Sequence, residues 1–168
     1  HYIIKDRNRF KENIPGEWRY EMQGLGFNYR MNEIQAALGL SQLTRLEKIV
    51  YRRNVIHNKY KEYLKNLPLK LIEVPNNVYS SHHLAVIKLE DKDIHQNVFE
   101  GMRKNSIGVQ LHYSPVHLQP FYKKFGFKKG DFPNAEDYAS RAFSLPLYPE
   151  LNNFSLRKIV KILKELIY

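Results

Sequence analysis

Apolar side chains recur three and four positions apart from Ile34 through Ala37, Leu38, Leu43, Leu46, Ile49, Val50, Ile56, Tyr60, Tyr63 and Leu64, with Leu40 offset. That spacing predicts one long helix, or two in series, over residues 32–66. Asn32 and Gln35 stand at capping-box spacing and set its start, and Pro68 lies just past its end. Arg45, Lys48, Arg52, Arg53, Lys59 and Lys61 occupy much of the other face, which reads as solvated. Leu69–Val74, bounded by Pro75 and two asparagines, reads as a strand, and His83–Leu89 as a second. Asp93 opens a helix through about Lys104, with Gln96 again at capping-box spacing and Ile94, Val98 and Met102 on one face. Val109–Tyr113 reads as a third strand. This strand–helix–strand order predicts an α+β fold with a small sheet covered on one face by helices. Residues 114–132 read as an aromatic loop. Asn134 is expected to cap a short helix ending near Ser144, and Ser155 to cap a last helix that turns Leu156, Ile159, Val160, Leu163 and Ile167 inward.

A glycine-punctuated turn, Gly24 to Met31, runs into the first helix and carries Asn28, Tyr29 and Arg30. The N–H groups and positive dipole end of a helix start favour a nearby anion, which makes Asn28 and Arg30 candidate ligands. The alternative is that both are turn residues satisfied locally. Upstream, Pro15-Gly16 marks a turn, and Phe10, Trp18 and Tyr20 are large anchors unsuited to a free linker.

The formal charge of +10 over 168 residues changes this picture little. The basic residues are spread over Lys5–Lys11, Arg45–Lys65, Lys123–Lys129 and Arg157–Lys164, as expected for solvated faces or a subunit surface. A nucleic-acid-binding domain is the rival reading, but the aromatics concentrate in loops and helix faces rather than on one sheet face. The absence of cysteine excludes disulfides, thiolate metal sites and cysteine nucleophiles. No apolar run is long enough to span a membrane, and a cytoplasmic location is expected. Phosphate-loop, dinucleotide, serine-triad and zinc-protease patterns are missing. Of seven histidines, His82 and His83 enter a strand, while His112 and His117 flank Tyr113 and Pro115. His112 reads equally as a half-buried strand residue or as a ligand at a strand end.

Three runs carry a resemblance. Gly26-Phe-Asn-Tyr-Arg-Met-Asn-Glu-Ile-Gln-Ala-Ala-Leu-Gly39, Gly108-Val-Gln-Leu-His-Tyr-Ser-Pro-Val-His117 and Ala142-Phe-Ser-Leu-Pro-Leu-Tyr-Pro149 resemble, in order, segments of the DegT/DnrJ/StrS family. These are pyridoxal-phosphate (PLP) aminotransferases of nucleotide-linked keto-sugars. Gly16-Glu-Trp-Arg-Tyr-Glu-Met-Gln23 is similar to the branch that makes the amino-sugar precursor of pseudaminic acid. The resemblance implies the C-terminal small domain of an aspartate-aminotransferase-like (fold type I) enzyme, with a mainly antiparallel sheet. Residues 1–31 would leave an absent large PLP domain, and 32–168 would form the small domain.

The resemblance also implies roles. Asn28 would reach across a homodimer interface to the phosphate of the neighbouring subunit's PLP, and Arg30 would hold a carboxylate, a phosphate or the interface itself. His112, His117 and His83 would line the sugar and amino-donor pocket, His83 with a structural alternative. The Schiff-base lysine and the acid that pairs the pyridine nitrogen would both precede His1, so no catalytic residue is expected here and the chain alone should be inactive. In the intact enzyme an amino group, from glutamate, would pass to a UDP-linked 4-keto-6-deoxy sugar, with a GDP-linked perosamine-type substrate next. The alternatives are a non-catalytic dimerisation or binding module, and a family dehydratase in which histidine replaces the lysine.

Overall fold

Asn32 begins the first helix as expected: its side chain accepts from the Gln35 amide at 2.9 Å, and Gln35 Oε1 accepts from the Asn32 amide at 3.1 Å. The computed structural model describes residues 2–4, 7–11, 21–27 and 29–168, which fall into two units, one running to Thr44 and the other from Arg45 to Tyr168. The Pro15-Gly16 turn, Trp18, Tyr20 and Asn28 lie outside the described residues.

In the first unit, β1 (Tyr2–Ile4) pairs antiparallel with β2 (Glu21–Gly24), with a register shift between Tyr2 and Ile3. Helix α1 (Glu33–Leu43) buries none of its residues. Its stripe stands in the open, from 81% exposure at Ile34 to 61% at Leu38.

The second unit opens with α2 (Leu46–Leu64). Of the two sequence alternatives, two helices in series is the one found. The break falls at Thr44, whose hydroxyl donates to the Ser41 carbonyl at 2.9 Å, and at Arg45, which has left helical geometry. Hydroxyl-to-backbone bonding of this kind competes with helix continuation. Ile56, Tyr60 and Leu64 form the buried seam of α2. Tyr60 is sealed completely and its hydroxyl donates to the Pro146 carbonyl at 2.9 Å, so burial costs no hydrogen bond and pushes the phenol far above its ordinary pKa.

The sheet is antiparallel, in the order β3 (Leu69–Leu71), β4 (Ala85–Leu89), β5 (Ala142–Leu145). Leu69 pairs with Leu89, and Ala85 with Leu145. Alternation along β4 sends Ala85, Ile87 and Leu89 into the core. They pack with Val98 and Met102 of α3 (His95–Lys104) and, beyond the single turn of α4 (Pro120–Lys123) in the aromatic loop and α5 (Pro133–Arg141), with Leu156, Ile159 and Leu163 of α6 (Asn153–Ile167). The third strand is β5, not Val109–Tyr113. That segment contributes one bridge, Gln110 to Ser144, before Ser114 and Pro115 turn it away. Every residue of β5 is buried, because α5 lies against β4 and β5 from the other face. The Lys88 ammonium of β4 meets the Asp137 carboxylate of α5 at 2.6 Å, and Arg141 meets it at 2.7 Å. Helices therefore cover both faces rather than one.

Three caps differ from expectation. Asp93 starts no capping box: its amide donates to Asp91 Oδ1 in an Asx turn, and Gln96 reaches forward to Glu100. Pro133 stands at the first turn of α5, where its missing N–H is harmless, so Asn134 does not cap. In α6 the cap is Asn152, which accepts from the Ser155 amide at 2.8 Å. Asn152→Ala should therefore lower stability by about 1 kcal/mol in urea unfolding, while Ser155→Ala should leave the midpoint almost unchanged.

Candidate functional site

Arg30 stands in the turn just ahead of α1, exposed and without a hydrogen bond or ion pair among the described residues. Its neighbours Phe27 and Tyr29 stack at 5.3 Å and are themselves largely uncovered. An exposed guanidinium at a capped helix start suits an anion.

The histidines do not form one cluster. Ser144 pairs with Val86 on one side and with Gln110 on the other. His112 follows Gln110 and His83 precedes Val86. Because these two outer segments run in the same direction, the histidines leave the row towards opposite ends. His112 is half-buried, and its Nδ1 lies 2.8 Å from the buried Ser144 hydroxyl. This holds the imidazole while leaving Nε2 with no protein partner among the described residues. His83 carries an exposed side chain, and its carbonyl accepts from Arg53. His117 is buried at 7% exposure and its Nε2 donates to Glu136 Oε1 at 2.9 Å, so in this conformation that nitrogen is committed to the protein.

Glu136 closes the aromatic loop. Its Oε1 also accepts from the Gly130 amide at 2.7 Å, and Gly130 takes a φ of +99° that an L side chain resists. These bonds, the Gly130 amide first and then His117, hold the Glu136 carboxyl below its ordinary value of 4.5. The folded chain thus binds fewer protons than the unfolded chain in acid. The stabilisation is present above about pH 4.5 and is lost as pH falls through the folded value. Glu136→Gln should flatten the fall of the urea midpoint below about pH 4.5.

Arg53 is the residue that the pattern placed wrongly. It does not point into solvent. Its Nη1 donates to the carbonyls of His82, His83 and Leu147 at 3.2, 3.1 and 3.0 Å, tying α2 to the entrance of β4 and the exit of β5. Arg52 reaches the Pro149 carbonyl at 3.3 Å. Nothing in spacing separates these arginines from the solvated basics around them.

Among the described residues, no group of three or more histidine, cysteine, aspartate or glutamate side chains is placed to hold a metal ion, and no helix is long and apolar enough to cross a membrane. The residues present fit PLP in part. Arg30 at the start of α1 suits a phosphate, but no described lysine is buried, as a desolvated Schiff-base amine would be.

Residues 5–164 match the DegT/DnrJ/EryC1/StrS aminotransferase family. The chain is 38% identical over 172 residues to the uncharacterized protein MJ1066 of Methanocaldococcus jannaschii, covering 99% of this chain and 44% of that protein. It is 35% identical over 138 residues to the UDP-4-amino-4,6-dideoxy-N-acetyl-beta-L-altrosamine transaminase of Campylobacter jejuni serotype O:2, covering 80% and 36%. Thus the chain spans less than half the length of these curated relatives.

Among solved structures, the PLP-form of Spr1654 from Streptococcus pneumoniae, named as a sugar aminotransferase, superposes with a TM-score of 0.82 at 26% identity, over 89% of this chain and 39% of that one. A PMP-form of the same protein matches as well. Helicobacter pylori PseC, an aminotransferase involved in pseudaminic acid biosynthesis, superposes with a TM-score of 0.81 at 28% identity, over 92% and 42%. The small antiparallel sheet with its helices is thus the fold of sugar aminotransferase structures, the family is PLP-dependent, and the chain belongs to the DegT/DnrJ/EryC1/StrS aminotransferase family.

Proposed function

We propose that this chain is the C-terminal part of a PLP-dependent transaminase that aminates a nucleotide-linked 4-keto-6-deoxy sugar. The family match over residues 5–164 carries this reading. The altrosamine transaminase and PseC among its relatives favour a UDP-linked N-acetyl sugar on the pseudaminic-acid route, with glutamate as donor. In this reading residues 1–31 leave a large PLP domain and 32–168 form the small domain. The uncovered stripe of α1 and the exposed Leu25, Phe27 and Tyr29 are what a segment built to pack on further protein would present. A cytoplasmic homodimer with shared sites fits these surfaces.

PLP, when bound, supplies the electron sink for amine transfer. The residues of this chain bind and orient. Asn28, by its amide, and Arg30, by its guanidinium, hold the phosphate of the neighbouring subunit's cofactor. Ser144 fixes the His112 ring so that its Nε2 can meet a sugar oxygen or the donor's carboxylate. His83 offers its exposed ring at the other end of the row. His117 orders the loop after His112 through Glu136, and would meet substrate only if that bond opened.

Kinetics of His112→Ala in the intact enzyme test this assignment. The expected result is a loss of about tenfold or more in kcat/KM for the sugar or the amino donor, the size of one charge-assisted hydrogen bond. A fall in melting temperature with unchanged kinetics would make His112 a packing residue.

A further inference from the structure

His57 lies on the buried face of α2, 4% exposed, with no hydrogen-bond partner for its Nε2. Among the described residues no other buried side-chain nitrogen or oxygen is left unpartnered. Its ring stacks on that of His82, with centroids 3.8 Å apart and planes 17° from parallel. His82 sits at a φ of 44°, in the left-handed region where histidine is more tolerated than most residues.

The backbone around His82 is laid against α2 by a short set of bonds. The His82 amide donates to Ser80 Oγ at 3.0 Å, Asn54 Nδ2 donates to the Ser80 carbonyl at 2.8 Å, and Arg53 holds the carbonyls of His82 and His83. The two imidazoles border a cavity of about 210 Å³. Its charged groups are Glu73, beyond β3, and Lys61, from α2, and these already pair with each other at 2.8 Å. Burial weighs most against a protonated His57 and Lys61 opposes it too, while the Ile72 backbone and the Glu73 carboxylate favour it but are outweighed.

We propose that the stacked His57 and His82 rings form a pH-sensitive latch: neutral, they hold residues 80–83 on α2, and protonated, they release them. The segment leads directly into β4 and carries His83, so release would free His83 from its station at the end of the sheet. The latch is a property of this chain whatever His83 binds.

Burial, followed by the charge of His82, holds His57 below the ordinary 6.5, and burial lowers His82 in the same direction. The latched form therefore binds fewer protons than the open one. Latching is complete above about pH 6.5 and is lost as pH falls below it towards the folded values.

Amide hydrogen exchange on the full chain, corrected for intrinsic rates, tests this at about pH 7.5 and about pH 5.5. Protection at His82 and its neighbours should be lost in acid relative to about pH 7.5. Ile87 in β4 should keep its protection. His57→Phe, which keeps a stacked ring but leaves only one titrating imidazole of the two, should shrink the pH dependence. Should that variant not fold, His82→Asn, compatible with the left-handed backbone, should do the same. Equal protection of residues 80–83 at both pH values would overturn the proposal. So would equal acid losses in the wild type and the variant, or loss at Ile87 to the same degree as at His82.

Discussion

Replacing Phe143 with alanine should cost about 3–5 kcal/mol and leave a chain that unfolds at the lowest urea concentrations. Phe143 is 1% exposed in a strand with covered faces on both sides. Its ring meets Phe99 edge-on at 5.9 Å and His95 at 5.7 Å, and His95 Nε2 in turn donates to the Ala142 carbonyl at 3.2 Å. Alanine would leave a cavity between α3 and the sheet. Phe143→Leu, which keeps most of the volume, should cost less than about 1.5 kcal/mol. Equal midpoints for the two variants would show that this contact does not anchor β5.

Arg53→Met should cost about 2–4 kcal/mol. Methionine retains the packing of the aliphatic stem but strands three carbonyls, those of His82, His83 and Leu147, which share one guanidinium nitrogen. A charged donor to several carbonyls exceeds the worth of an ordinary hydrogen bond, and partial access to water reduces it. Arg53→Lys should recover only part, since an ammonium presents its donors differently from a planar fork. Urea unfolding of the three proteins gives the order. A methionine variant as stable as the wild type would mean that water replaces the guanidinium at those carbonyls.

These two residues also mark where sequence reading succeeds and where it stops. The helical period through α2 and α6, the capping box at Asn32 and the short Val86-Ile87 run of β4 between turns depend on neighbours within a few residues, and each is visible in the chain. The first part of the same pattern, Ile34 to Leu43, reads as a core stripe, yet in this chain it is uncovered. Period reports that a face is apolar; it does not report what covers it. Residues 142–145 are hidden as a strand because Pro133 to Ser144 reads as one helix, whereas the Ala142 backbone turns extended and pairs with β4. Val109–Tyr113 has the composition of a strand, but its ladder stops at one bridge.

The site divides in the same way. In the sequence Asn28 and Arg30 are candidates because helix starts favour anions, and His112 because strand ends and the loops after them often carry ligands, with the family resemblance adding to each. Its partner Ser144 lies 32 positions away and leaves no local trace. The bond of His117 to Glu136 and the three-carbonyl grip of Arg53 are likewise products of tertiary folding. No local pattern distinguishes a gripping arginine from a solvated one, or a buried, stacked histidine from an exposed one.

The most direct test of the transaminase assignment is the absorbance of PLP bound to the full-length protein, followed on adding glutamate and then a UDP-linked 4-keto-6-deoxy sugar. A transaminase should show a lysine-bound cofactor spectrum that is lost with glutamate and restored by the sugar, one amine per site. A cofactor that binds but does not cycle, or a full-length protein with histidine in place of the lysine, would contradict the assignment and point to a dehydratase or a silent binding partner.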